Sequence, residues 1–170
     1  QNVVKDDALR PLFKIKKGDW YNEKHIRKGL EKSQEIFGSG GYMEFVGYPD
    51  LNPKEGEKER GAPVVDVTMR MQPGKQYFVN RITFVGNTTT RDNVIRREIR
   101  LFEGGVFNTE ALKYSIKRLN QLGYFKALEG DAIQVEKTPG VDNKVDLSLK
   151  LEEQNRNQLT FGAGVSQYDG

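Results

Sequence analysis

One segment of the chain occurs twice in altered form, and this constrains the fold more than any other feature. "KKGDWYNEKHIRKGLEKSQEIFGSGGYMEF" runs beside "FEGGVFNTEALKYSIKRLNQLGYFKALEG", with Gly18 on Gly104, Tyr21 on Phe107 and Asn22 on Asn108. Ile26 and Leu30 fall on Leu112 and Ile116, and after a four-residue insertion Gly41-Tyr42 falls on Gly123-Tyr124. Further on, "VVDVTMRM" matches "KVDLSLKL", Asp66 on Asp146. Two copies of a unit of about 80 residues predict two small domains in tandem.

The second copy is the clearer. "YFVNRITFVGN" is β-branched and aromatic and ends in Gly86-Asn87, a strand followed by a turn. Thr90 is the expected N-cap of a helix through "RDNVIRREIR". Asn108 is the expected cap of a second helix, whose Leu112, Ile116, Leu119 and Leu122 form one apolar stripe ended by Gly123. Ile133 and Val135 mark a short strand, "TPGVDN" a turn, and Val145, Leu147, Leu149 and Leu151 alternate with polar residues in a strand buried on one face. The order is strand-helix-helix-strand-strand. The last two strands make a hairpin and the first lies parallel to the last. The fold class is therefore α+β, each domain a three-stranded mixed sheet covered on one face by two helices. In the first copy Gln1 falls opposite Asn87, so the first strand of that domain is expected upstream of residue 1. Its hairpin loop "YPDLNPKEGEKERGAP" is charged and rich in Pro and Gly, and reads as a mobile solvated loop.

No constellation for chemistry emerges, and the chain is expected not to be an enzyme. There is one histidine, His25, and no cysteine, which removes thiol chemistry and Cys-based zinc sites. Carboxylates alternate with Lys and Arg as on solvated helix faces. "FGAGVSQYDG" approaches a G-x-G-x-x-G loop and fails at Gln167. No catalytic residue, metal or cofactor is expected. The net charge of +3, from 27 basic and 24 acidic residues, lacks the basic stripe of a nucleic-acid surface. The start, "QNVVKDDALR", has no leader pattern, so an export signal would lie upstream. Arg96, Arg97 and Glu98 together read either as a solvated face or as a docking site, since Arg is favoured at interfaces.

Taken in order, "RITFVGNTTTRDNVIRREI", "RLNQLGYF" and "VDLSLKLEEQNRNQLTFGAGVS" resemble the last POTRA domain of the BamA family and its run into the first strand of an outer-membrane barrel. The first copy resembles the preceding POTRA domain. The resemblance implies residues 1–75 as the penultimate POTRA domain, 76–153 as the last, and 154–170 as linker and first strand of a transmembrane β-barrel. It also implies a periplasmic location at the outer membrane, with accessory lipoproteins (BamD-like) and unfolded outer-membrane protein clients as partners. Periplasmic chaperones are a further partner class, the membrane is reached through the barrel, and nucleic acid is not a partner.

Carried over by position, the resemblance implies that Arg96, Arg97 and Glu98 dock a lipoprotein. Leu159, Thr160, Phe161, Gly162, Ala163, Gly164, Val165 and Ser166 would form the barrel's seam strand, apolar side chains to lipid and small or polar ones to the lumen. Client strands would add through main-chain hydrogen bonds to the edge formed by the short second strand of each domain. That edge is Met43, Glu44, Phe45 and Val46 in the first and Ile133, Gln134 and Val135 in the second. Two alternatives stay open: the POTRA region of a two-partner secretion or chloroplast import transporter, and an RNA-binding α/β module suggested by a pI of about 9.0.

Overall fold

The computed structural model describes residues 4–154, which divide between Gln76 and Tyr77 into two compact units. In the first unit α1 (Asp6–Leu9) runs into a 3-10 turn at Arg10–Phe13. Helix α2 (Glu23–Ser39) follows, capped by Asn22, whose side-chain oxygen accepts the His25 amide at 3.3 Å. Strands β1 (Val46–Glu59) and β2 (Ala62–Gln72) then pair antiparallel. The core sits where the Phe37 ring stacks on Phe45 at 4.6 Å, with Tyr42 edge-on at 6.0 Å and Leu9 and Met71 beside them. Gly29 lies where a Cβ would overlap the Phe13 ring, so the absence of a side chain lets the 3-10 turn close on α2.

The charged segment from Tyr48 to Pro63 is not the loop its composition suggested; it forms most of this hairpin. Arg60 and Gly61 both have positive φ, 53° and 78°, as a two-residue hairpin turn requires. Charges that read as a solvated run face each other across the strands: Arg70 lies 3.3 Å from Asp50, and Lys54 3.7 Å from Asp66. Pro49 and Pro53 are tolerated because β1 is an edge strand.

The second unit has the predicted order. Strand β3 (Phe78–Val85) precedes α3 (Asp92–Arg96) and α4 (Thr109–Leu122). Strands β4 (Ile133–Lys137) and β5 (Lys144–Lys150) close the unit. The sheet order is β3-β5-β4, with β3 parallel and β4 antiparallel to the central β5. Val145, Leu147 and Leu149 have 0% exposure, and burying each stabilises the fold by about 1.5–3 kcal/mol. Asn108 caps α4 by accepting the Ala111 amide at 2.9 Å, as Asn22 caps α2. Gly123, at φ 71°, ends α4.

Helix α3 departs from expectation. It is five residues long and begins after Arg91, with no side-chain cap. Thr90 does not cap it, because the Thr90 amide is held by Glu153 and its carbonyl accepts from Asn87. Arg97 keeps right-handed helical geometry and Glu98 and Ile99 continue in tighter turns, after which the Arg100 amide donates to the buried hydroxyl of Ser115 on α4 at 2.8 Å.

Candidate interaction surfaces

The two edges of the second sheet differ. On β4 the outer side of Ile133, Gln134, Val135 and Glu136 pairs with no strand among the described residues. On β3 the outer side is occupied along much of its length. The loop after α3 covers its start: the Val79 amide donates to Gly105 O, the Gly104 amide to Val79 O and the Phe107 amide to Tyr77 O. Further along, side chains take over. Glu103 Oε1 accepts the Ile82 amide at 3.2 Å, and the Arg96 guanidinium donates to the Ile82 carbonyl at 2.8 Å. Arg96 also pairs with Asp92 at 2.6 Å and Glu103 at 3.4 Å, and lies 5.1 Å from the centre of the Phe84 ring.

Arg96, Arg97 and Glu98 therefore do not form one patch. Successive helical residues point about 100° apart. Arg96 is directed to β3. Glu98, its side chain 19% exposed, is directed to α4, where Arg118 donates to it at 2.7 Å. Arg118 also donates to the Tyr114 hydroxyl, and that bond with the adjacent positive charge lowers the phenol pKa. Arg97, exposed like Arg96, makes no ion pair with any described residue.

In the first unit the expected edge is displaced. Met43 and Glu44 lie in a turn and Phe45 is a core residue, 8% exposed; the strand begins only at Val46. The aromatic and apolar run "GYMEF" reads as a strand, but the Phe45 amide folds back on Tyr42 O and its ring is taken by Phe37. Residues 159–166, the expected seam strand, lie outside the described residues.

A third constellation escaped sequence reading. After β5 the chain is clamped from both sides. The Glu153 carboxylate accepts the amides of Thr89 and Thr90 and the hydroxyls of Thr88 and Thr89, at 2.7–3.1 Å. The Thr89 hydroxyl and the Thr90 amide are the chief reasons its pKa falls to about 2. On the other side the Lys126 amide donates to Glu152 O and the Gln154 amide to Tyr124 O. Gly86, at φ 91°, faces the Leu151 carbonyl where a Cβ would overlap it. The only sequence signal was "NTTT", a run of hydroxyls after a strand end, with nothing to name its partner 63 residues away. Among the described residues no cluster of His, Cys, Asp or Glu could hold a metal ion, and no helix is long and apolar enough to cross a membrane.

Comparison with known proteins matches both units to one family model, POTRA, described as a surface antigen variable number repeat, over residues 1–74 and 77–154. The chain is 33% identical over 169 residues to the outer membrane protein assembly factor BamA of Neisseria meningitidis serogroup B, covering 99% of this chain and 20% of that protein. To BamA of Buchnera aphidicola it is 29% identical over 160 residues, 94% of this chain and 24% of the relative. It thus spans about a fifth to a quarter of the length of these relatives. Among solved structures, BamA from Haemophilus ducreyi lacking POTRA domains 1–3 superposes with a TM-score of 0.71 at 28% identity, covering 88% of this chain and 27% of that one. The POTRA3–5 structure of Haemophilus influenzae BamA gives 0.65 at 22% identity, covering 86% and 55%, a likeness of fold.

Proposed function

The chain belongs to the POTRA family, and from that premise we propose that it is the barrel-proximal periplasmic part of a BamA-type outer-membrane protein assembly factor. The observation that carries this reading is the match to BamA, which runs through both units. The likeness to a BamA lacking its first three POTRA domains supports taking residues 1–75 and 76–153 as the penultimate and last domains, with 154–170 leading into the barrel's first strand. The work of the region is then binding. Extended strands of unfolded outer-membrane proteins add to the outer side of β4, at Ile133, Gln134 and Val135, through main-chain hydrogen bonds that demand little of client sequence.

An accessory lipoprotein docks beside α3. Of Arg96, Arg97 and Glu98, Arg97 is the charge exposed to a partner, while Arg96 and Glu98 orient the surface from their pairs within the domain. A photo-crosslinker placed at Gln134 of the full-length protein in living cells tests the client reading. It should capture unfolded barrel proteins more strongly than one at Lys117, on the exposed side of α4. Equal capture at the two positions refutes it.

A further inference from the structure

The asymmetry of the second sheet goes beyond the presence of one open edge. A sheet left bare at both edges would take client strands in two places, in different surroundings. On β3 the backbone groups that such a strand would use are taken one after another by Phe107, Gly105, Gly104, Glu103 and Arg96. The last two act through side chains. Glu103 accepts the Ile82 amide and Arg96 donates to the Ile82 carbonyl, so together they imitate the residue of a neighbouring strand. Each holds the other, at 3.4 Å, and Asp92 steadies Arg96 from one helical turn before. The guanidinium also covers the face of Phe84, the next residue whose backbone turns outward.

We propose that Arg96 and Glu103 are specificity-determining residues that close the β3 edge and so confine strand addition to β4. The inference rests on the reading that this domain takes client strands, and it adds which edge takes them and what excludes the other. The plug is polar and half-exposed. It is therefore a weak closure, worth little to the stability of the domain, and its effect is on where a strand can pair. Adding a strand at β3 requires breaking both bonds to Ile82 and leaving the Arg96 and Glu103 charges to find water, whereas adding one at β4 displaces no strand among the described residues.

The test uses the whole 170-residue chain and a synthetic strand peptide of alternating apolar and polar residues carrying a nitroxide. Paramagnetic broadening of backbone amides reports which edge it meets. In the unaltered chain the amides of Ile133–Glu136 should broaden strongly and those of Ile82 and Phe84, two strands further from the peptide, only weakly. In the double variant R96A/E103A both sets should broaden strongly, and exchange of the Ile82 amide with solvent should be at least tenfold faster. Equal broadening at the two edges in the unaltered chain overturns the proposal, as does a folded double variant whose broadening still centres on β4. If the double variant does not fold, R96A alone is read in the same way, since it frees the Ile82 carbonyl and leaves Glu103 on the amide. Absence of broadening at β4 in every protein would count against client binding itself. An opening of β3 in the variants would still support the plug, so the two failures are distinct.

Discussion

The amide of Thr90 lies 2.7 Å from the carboxylate of Glu153, across 63 residues of sequence, and ties the turn after β3 to the segment that leaves the domain. This bond has a pH signature. Glu153 is held at about 2 against an ordinary 4.5, chiefly by the Thr89 hydroxyl and the Thr90 amide. A depressed carboxyl stabilises the fold above its unfolded value and loses that contribution as pH falls through the folded one. The melting temperature of the second unit should therefore drop between pH 4.5 and about 2 by more in the unaltered chain than in Glu153→Gln. Parallel curves for the two proteins would show that the carboxylate contributes nothing.

In sequence Glu98 read as part of a solvated face or a docking site. Its 2.7 Å pairing with Arg118 alters the expectation. Glu98→Lys sets two cations together at a half-covered site and should lower the melting temperature by roughly 5 °C for a domain of this size. The exchanged pair Glu98→Lys/Arg118→Glu should recover most of that loss. A single variant that melts with the unaltered chain would show the pair to be energetically idle.

Arg97→Glu makes a contrasting case. The residue is exposed, so stability should change by less than about 0.5 kcal/mol. Capture of a purified BamD-like lipoprotein should weaken about tenfold at moderate salt if Arg97 faces it. Undiminished capture would remove the docking role from this helix.

Gly86 should tolerate no side chain. An alanine there meets the Leu151 carbonyl and is strained at φ 91°, whereas Gly140, at φ 77°, has open space around it. Gly140→Ala should cost about 1 kcal/mol from backbone strain alone, and Gly86→Ala distinctly more. Equal losses in urea unfolding would show that the approach of the two chain segments is not tight.

The second unit was legible because its sheet is wet on one face only. Val145, Leu147 and Leu149 alternate with Asp146 and Ser148 and are fully buried, and Asn108 and Gly123 mark a helix that the structure bounds with the same residues. The β1–β2 hairpin was illegible for the opposite reason. Only β2 carries an alternation, Val65, Val67, Met69 and Met71; β1 is exposed along most of its length, and its prolines and Gly56 imitate a loop. Phe45 was misplaced because an aromatic residue beside Val46 fits a strand and a core equally well. The closure of β3 could not be read at all. Arg96 and Glu103 look like ordinary solvated charges until the fold brings Ile82 between them. The clamp on Glu153 joins positions too far apart in sequence for any spacing rule.

The central claim is that the second unit receives extended strands at β4. Its most direct test is a titration of the isotope-labelled chain with an unlabelled peptide copied from a transmembrane strand of an outer-membrane protein, followed by amide chemical shifts. Saturable shifts should concentrate at Ile133, Gln134, Val135 and Glu136, together with slower exchange of the outward amides of β4. Shifts centred on α4, or none at millimolar peptide, would contradict it.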